Sequence, residues 1–193
     1  ILVLDTEVYS NTGGQSSKST NMGAIAKFAS TGKKTNKKDL TKIALAYKNV
    51  YVATVSLGAN MNQVVKAMNE AVAYEGTSII ICYAPCIAHG IIKGMDSINE
   101  EKLATEAGYF PLFRYNPATK EFTVDSKADF SKYSEFLEGE DRFRTLKDLN
   151  KENYKELLKE NQNNAKERYD YYLSKQTNKE EDNNNQNNTN NNI

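Results

Sequence analysis

Three short apolar runs, separated by segments with helical spacing, constrain the fold of this 193-residue chain most strongly. The runs cover residues 1–4, 50–55 and 79–83, and none of them alternates regularly between polar and apolar residues. Continuous apolar strands of this kind are typical of a parallel sheet with helices on both faces. The pattern therefore predicts an α/β fold with an open parallel sheet and flanking helices.

The segments between and after these runs show helical spacing and helix-capping residues. Asp39 and Asn60 each precede such a segment, and both are typical N-cap residues because their side chains accept a hydrogen bond from the first turn. A stripe of Leu40, Ile43, Ala44 and Tyr47 is expected on one of these helices. The patterns predict helices at residues 22–29, 39–47, 60–74, 99–107 and 151–173, and extended segments at 112–115 and 121–124.

Composition divides the chain into three parts. We expect an α/β domain over residues 1–145, a C-terminal helical arm over 146–176 and an asparagine-rich tail over 177–193. The tail has little to bury, so we expect it to be disordered and to mark the end of a chain. The first strand begins without a methionine or a cap, and we expect further sequence to precede Ile1.

Charge and composition exclude several classes of partner. The 25 basic and 25 acidic residues balance to a formal net charge of zero, which argues against nucleic acid as the main partner. No apolar run approaches the roughly 20 residues of a membrane span. The two cysteines, Cys82 and Cys86, do not form the framework of a small secreted protein, so we expect a reducing compartment.

The loop after the first strand is the strongest candidate for a functional site. Residues 5–15, with the sequence DTEVYSNTGGQ, are crowded with oxygen ligands of the kind that Mg²⁺ prefers. The same composition also suits an ordinary polar turn after a strand. The loop matches neither the P-loop nor the dinucleotide-binding fingerprint.

Two motifs in this chain resemble one enzyme family. Residues 5–20, DTEVYSNTGGQSSKST, are similar to the thiamine-diphosphate domain of pyruvate:ferredoxin (flavodoxin) oxidoreductases. Residues 83–90, YAPCIAHG, resemble a second motif of that family, and the resemblance extends over residues 1–173. The chain departs from the family at Asn21, where we expect a proline at a helix start. The resemblance implies a thiamine-diphosphate-binding fold that is incomplete at its N-terminus.

The resemblance also implies roles for individual residues. The Thr6 side chain and the Val8 backbone carbonyl would bind Mg²⁺, and Gly13 would belong to the cofactor-binding loop. Asn11 would face both the thiazolium ring and the substrate, as a catalytic residue. In the family, a further Mg²⁺ ligand, an aspartate of a Gly-Asp-Gly segment, and the glutamate that activates the cofactor lie outside the matched region. We therefore expect residues 1–193 alone to hold the cofactor weakly or not at all.

The cysteines and the histidine receive different interpretations. The spacing Cys-x3-Cys is a poor metal motif, but the resemblance implies that Cys86 is one of four thiolates on a 4Fe-4S cluster. Cys82 has no such role and is expected in the core. His89 is the single histidine. It is either a catalytic base or a hydrogen-bonded structural residue, and we favour the second. Ser10 and Ser16 are weak nucleophile candidates.

The activity implied by the resemblance is oxidative decarboxylation of pyruvate with coenzyme A to acetyl-CoA and CO₂. Electrons would pass through 4Fe-4S clusters to ferredoxin or flavodoxin, in a homodimer located in the cytoplasm or in a hydrogenosome-like organelle. Another 2-oxoacid:ferredoxin oxidoreductase, a pyruvate:NADP⁺ oxidoreductase and an inert structural piece remain alternatives. The polar tail argues against a fused reductase domain.

Four lysines between residues 33 and 38 form a separate basic run. Such runs are commonly solvated loops. The functional alternative is a dock for an acidic electron carrier or for the phosphates of coenzyme A.

Overall fold

The computed structural model describes residues 1–177, and its central feature is a five-stranded mixed sheet. The strands are β1 (Leu2–Asp5), β2 (Val8–Tyr9), β3 (Gln15–Ser16), β4 (Val50–Val55), β5 (Thr77–Tyr83), β6 (Phe113–Asn116) and β7 (Glu121–Val124). The helices are α1 (Leu40–Leu45), α2 (Met61–Ala73), α3 (Ser97–Glu106), α4 (Tyr133–Glu138), α5 (Asp141–Arg144), α6 (Leu146–Leu149) and α7 (Tyr154–Leu173). Short 3₁₀ turns cover Ile87–His89 and Phe130–Lys132.

The three apolar runs form the parallel part of the sheet. The strand order is β1-β5-β4-β6-β7, in which β1, β5 and β4 run parallel and β6 and β7 continue the sheet as an antiparallel hairpin. Strands β2 and β3 form a separate small hairpin directly after β1. The expected fold class is confirmed, with the addition that the two later extended segments join the same sheet.

Four of the predicted helices are present, and their caps explain where two of them begin. The Asp39 side chain accepts a hydrogen bond from the Lys42 amide at 3.0 Å, and Asn60 accepts one from the Gln63 amide at 3.0 Å. These bonds satisfy amides that have no partner within the helix. The short helices α4, α5 and α6 were not predicted, because four to six residues are too few to show a helical period.

The predicted helix at residues 22–29 is wrong. This segment is an irregular loop in which several amides bond to distant backbone, while Ala26 and Ala29 pair with each other as an isolated antiparallel bridge and not as part of a helix. The Lys27 amide donates to the Gly14 carbonyl at 3.1 Å, and the Ile25 amide donates to the Arg142 carbonyl at 2.8 Å. Gly23 has a φ of +79°, which interrupts any helix at this point. Long-range pairing therefore overrides the local helical spacing.

The expected burial of the first strand on both faces is also wrong. Leu2 and Leu4 are 54% and 63% exposed. Among residues 1–177, β1 pairs only with β5 and lies at the sheet edge. Helix α2 covers the neighbouring strands through Val64 and Ala67, and it leaves this face of β1 open.

The expected apolar stripe on α1 is only partly correct. Ala44 is buried, but Leu40, Ile43 and Tyr47 are 38%, 43% and 69% exposed. The helix instead buries Thr41, whose hydroxyl forms a hydrogen bond with the Tyr172 hydroxyl. The side of α1 that faces α7 is therefore smaller and more polar than its spacing suggested.

The predicted C-terminal arm packs closely on the sheet. Tyr172 of α7 is buried against Phe113, with ring centroids 4.4 Å apart, and Ala165 is buried as well. Thr177 donates its amide to the Phe122 carbonyl at 2.9 Å. The rest of the predicted tail lies outside the described residues. No helix within residues 1–177 is both long and apolar enough to cross a membrane.

Candidate cofactor site

The two residues expected to bind Mg²⁺ lie together at the carboxyl end of β1. The Thr6 hydroxyl donates to the Val8 carbonyl, and the two oxygens are 3.1 Å apart. Adjacent ligands of an octahedral Mg²⁺ at 2.0–2.1 Å are separated by about 2.9 Å. The two oxygens therefore have the spacing needed to bind the same ion, and the residues fit the group that the resemblance implies. Both residues line a cavity of about 350 Å³.

Asn11 and Gly13 lie at the tip of the β2–β3 hairpin that follows. The strands of this hairpin pair Val8 with Ser16, and the Gly13 amide donates to the Ser10 carbonyl at 3.2 Å. Gly13 has a φ of +99°, which residues other than glycine rarely adopt. The predicted catalytic and cofactor-binding residues are therefore on the hairpin that begins at Val8, a few residues along the chain from the Thr6–Val8 pair.

Glu7, which lies between Thr6 and Val8, is a central residue that the sequence analysis missed. It is buried, with a left-handed φ of 57°, and its carboxylate has four polar partners. The side-chain nitrogens of Asn21 and Lys37 and the hydroxyl of Tyr109 each lie 2.7 Å from it, and Arg142 lies 2.8 Å away. These contacts hold an unfavourable backbone conformation at the residue that joins the two proposed ligands.

The partners of Glu7 keep it ionised. Burial alone would raise the pKa of this carboxyl, but the charges of Lys37 and Arg142 outweigh burial and hold the pKa well below its usual range. Lys37 also pairs with Asp5 at 2.6 Å. The departure at Asn21 has a structural reason as well, since its amide binds Glu7 instead of starting a helix.

The two cysteines have different environments, as expected. Cys82 is buried in β5, and burial raises the pKa of its thiol to about 11. A protonated core thiol is a poor metal ligand at neutral pH. Cys86 follows the end of β5, is partly exposed, and accepts a hydrogen bond on sulfur from the Ala88 amide at 3.5 Å. Hydrogen bonds of this type tune the potential of iron–sulfur centres.

The loop that contains Cys86 touches the loop that contains Thr6. His89 is completely buried, and its Nε2 lies 2.9 Å from the Thr6 carbonyl oxygen. A Cβ atom added to Gly14 would lie 3.1 Å from Cβ of Ala88, so the two loops are also in close van der Waals contact. The structure thus brings together both sequence motifs, and the interpretation of His89 as a hydrogen-bonded residue is confirmed.

The described residues do not complete a metal centre. Within residues 1–177 there is no group of three or more histidine, cysteine, aspartate and glutamate side chains placed to hold an ion. A 4Fe-4S cluster is normally held by four thiolates, and the partly exposed Cys86 would supply one of them. The metal-binding roles of Thr6, Val8 and Cys86 therefore remain predictions.

The basic run is only half solvated, so the expectation of a solvated loop holds for part of it. Lys37 is bound to Asp5 and Glu7, and the Lys33 amine donates to the backbone carbonyl of Lys18 at 3.3 Å. Lys34 and Lys38 are exposed. A dock for an acidic partner would therefore depend on these last two amines.

Comparison with known proteins places part of the chain beside one family of domains. Residues 1–82 match the family described as thiamine pyrophosphate enzyme, C-terminal TPP binding domain. The chain is 49% identical over 177 residues to pyruvate:ferredoxin oxidoreductase of Moorella thermoacetica, which covers 89% of this chain and 15% of that protein. It is 49% identical over 178 residues to pyruvate-flavodoxin oxidoreductase of Enterobacter agglomerans, again with 89% and 15% covered. It is 48% identical over 178 residues to the mitochondrial pyruvate dehydrogenase (NADP⁺) of Euglena gracilis, with 89% and 10% covered.

In fold and in sequence, residues 1–82 therefore resemble a thiamine pyrophosphate-binding domain. Over 89% of its length the chain is similar to pyruvate:ferredoxin and pyruvate-flavodoxin oxidoreductases. It spans about 15% of the length of these two relatives.

Proposed function

We propose that this chain forms one side of the thiamine-diphosphate site in a longer oxidoreductase, called the parent oxidoreductase below. That enzyme would decarboxylate pyruvate oxidatively with coenzyme A to acetyl-CoA and CO₂, and pass electrons through 4Fe-4S clusters to ferredoxin or flavodoxin. The observation that supports this proposal best is the 3.1 Å separation of the Thr6 hydroxyl and Val8 carbonyl oxygens.

Each residue of the Thr6–Val8 loop has a distinct task in this proposal. Thr6 and Val8 supply two adjacent oxygens to Mg²⁺, and Glu7 fixes the backbone between them. Thiamine diphosphate, when bound, supplies the nucleophilic carbon that attacks the keto group and the electron sink that allows CO₂ to leave. Asn11, on the hairpin tip, positions the substrate beside that carbon, and Gly13 allows the backbone to approach closely.

Cys86 would hold one iron of the 4Fe-4S cluster nearest to this site. It is partly exposed, and its sulfur already accepts an amide hydrogen bond from Ala88. The contact between its loop and the Thr6 loop keeps the proposed electron donor and acceptor sites adjacent. Short separation favours direct electron transfer without an intervening carrier.

A second candidate is a pyruvate:NADP⁺ oxidoreductase, because the chain is 48% identical to a relative with that name. Another 2-oxoacid:ferredoxin oxidoreductase is a further variant of the same chemistry. A homodimeric assembly, and a location in the cytoplasm or in a hydrogenosome-like organelle, are parts of the main proposal. These alternatives differ in electron acceptor or substrate but share the proposed thiamine site.

The proposal is tested by assaying the purified parent oxidoreductase under anaerobic conditions with pyruvate and coenzyme A. Ferredoxin, flavodoxin and NADP⁺ are offered separately as electron acceptors. We expect reduction of ferredoxin or flavodoxin. We also expect Cys86→Ala, but not Cys82→Ala, to lower the iron content and remove the spectral contribution of one cluster. Reduction of NADP⁺ alone would favour the second candidate. An unchanged cluster in Cys86→Ala would remove the assignment of Cys86.

A further inference from the structure

His89 occupies an unusual position for the single histidine of the chain. Its side chain is fully buried, and its backbone amide donates to the Cys86 carbonyl at 2.9 Å. The ring then reaches the Thr6 carbonyl through Nε2 at 2.9 Å. Because a carbonyl oxygen only accepts hydrogen bonds, Nε2 must carry the hydrogen. One residue therefore connects the turn after β5 to the loop after β1.

The other side of the imidazole ring faces a buried chain of charges. Nδ1 lies 3.3 Å from Oε1 of Glu140, without the geometry of a hydrogen bond. The second oxygen of Glu140 accepts from Nε of Arg142 at 2.7 Å, and Arg142 pairs with Glu7 at 2.8 Å. Glu7 follows Thr6 in the chain, so the connection closes into a ring.

Burial makes this ring rigid. The side chains of His89, Glu140, Arg142 and Glu7 are all at most 3% exposed. Water does not replace a lost partner at such positions, and an unpaired buried charge is costly. The bond between His89 and Thr6 ends on an uncharged carbonyl oxygen. Replacing His89 removes this bond and the 3.3 Å contact with Glu140, but Glu140 and Glu7 both keep Arg142 as a charged partner.

The Cys86 turn is fixed by its surroundings on two further sides. Gly90 has a φ of 67°, and a Cβ at this position would lie 2.7 Å from Cβ of Asp141. Ala88 packs on Gly14 of the cofactor hairpin. These contacts hold the turn near the hairpin. Within residues 1–177, the His89 ring is the one group of the Cys86 turn that forms a hydrogen bond with the backbone of the Thr6–Val8 loop.

We propose that His89 is a positioning residue that couples the Cys86 turn to the Thr6–Val8 loop, and so fixes the distance between the cluster and the thiamine cofactor. The coupling stands on the contacts described above. Its consequence for electron transfer rests on the proposed function. His89 itself contacts neither the substrate nor the ion in this proposal, since its hydrogen bond goes to the backbone carbonyl of Thr6 and not to the hydroxyl.

The coupling is tested first by hydrogen–deuterium exchange in the parent oxidoreductase without added cofactors. His89→Leu should speed exchange in two segments that are distant in sequence, residues 5–9 and 86–90, by roughly tenfold, as expected for loss of one buried hydrogen bond. His89→Gln, whose side-chain nitrogen can reach the position of Nε2, should restore protection in both. Tyr133→Phe, which loses a buried hydroxyl elsewhere, is the matched control and should change neither segment.

A purely local role for His89 predicts a different result. Exchange would then rise only around residues 86–90, and residues 5–9 would keep wild-type protection. That result overturns the coupling. If His89→Leu does not fold, His89→Asn is used in its place. The shorter amide of Asn can occupy the position of Nδ1 but cannot reach the Thr6 carbonyl. Equal exchange of residues 5–9 in the Asn and Gln variants would overturn the proposal as well.

The functional half is tested by rapid mixing of the cofactor-loaded parent oxidoreductase with pyruvate. His89→Leu should slow the bleaching of the cluster absorbance by about tenfold at unchanged iron and thiamine content, and His89→Gln should recover most of the rate. A wild-type rate in His89→Leu would overturn this half. If the two segments respond together in exchange but the protein binds no iron and no thiamine diphosphate, the proposed function fails and the coupling stands.

Discussion

Glu7 and Arg142 form an ion pair of 2.8 Å in which both side chains are almost completely buried. The pair links the loop after β1 to helix α5, two segments more than 130 positions apart in the chain. Glu7 is also the residue that joins Thr6 to Val8. The stability of the fold and the geometry of the proposed ion site therefore depend on the same carboxylate.

Replacing Glu7 with Gln should destabilise the protein severely. Lys37 and Arg142 would lose the charge they share, and breaking a buried pair in this way costs about 3–5 kcal/mol. Urea unfolding followed by circular dichroism measures the difference. Asp141→Asn is the control, since its pair with Arg144 is half exposed and should be worth less than about 1 kcal/mol. A loss below about 1 kcal/mol in Glu7→Gln would show that the cluster does not stabilise the loop.

Glu100 should make stability depend on pH. Burial, and then the neighbouring charge of Glu140, raise the pKa of this carboxyl from 4.5 to about 7, against the opposing effect of Arg142. Because the folded protein binds this proton more tightly than the unfolded chain, the contribution is complete below pH 4.5 and is lost as the pH rises through 7.

The measurement is the unfolding free energy of wild type and Glu100→Gln at several pH values. The variant should be the more stable of the two above pH 7, with the difference growing from pH 4.5 to 7 by an amount on the order of 3 kcal/mol. Among the described residues, Oε1 of Glu100 has no hydrogen-bond partner, so a neutral amide breaks no contact there. A difference that is constant with pH would contradict the raised pKa.

The two cysteines should react at very different rates in protein that carries no iron. Cys82 is 6% exposed with a thiol pKa raised to about 11, whereas Cys86 is partly exposed. We expect iodoacetamide to label Cys86 quickly and Cys82 only after denaturation. Mass spectrometry of digested protein locates the label, and Cys86→Ser serves as the control that should lose the fast phase. Fast labelling of Cys82 would place it outside the core.

Gly14 should tolerate no larger residue. Its φ is +87°, and an added Cβ would lie 3.1 Å from Cβ of Ala88. Gly14→Ala is expected to cost about 1–2 kcal/mol from the backbone conformation alone, and to push the hairpin away from the Cys86 turn. Thermal unfolding measures the loss. Gly94→Ala has a similar φ of 63° with open space around it, so it separates backbone strain from loop contact.

The sequence predicted the parts of this fold that repeat a local pattern. The strand over residues 50–55 is present with the same limits, and the caps at Asp39 and Asn60 start α1 and α2. The motifs, through their resemblance to a family, singled out Thr6, Val8, Asn11 and Cys86, whose roles remain predictions. The strand and the caps share one cause, because each is encoded by residues close together in the chain.

The failures also share a cause. The helix expected near Gly23 is replaced by backbone pairing with Gly14 and Arg142, which no local pattern reveals. Glu7 looked like one polar residue among many, since its importance depends on Lys37 and Arg142 from distant segments. The role of this left-handed glutamate beside the two proposed ligands can be recognised only in the folded structure, where its partners surround it.

The most direct test of the account is the affinity of the parent oxidoreductase for thiamine diphosphate in the presence of Mg²⁺, measured by calorimetric titration. Thr6→Ala should weaken binding by roughly tenfold or more, because loss of a residue that supports a metal ligand has an effect of that size. Thr6→Ser keeps the hydroxyl and should bind almost as tightly as wild type. Thr35→Ala, at an exposed position outside the site, is the control. Unchanged affinity in Thr6→Ala would contradict the assignment of the Thr6–Val8 pair to the magnesium ion.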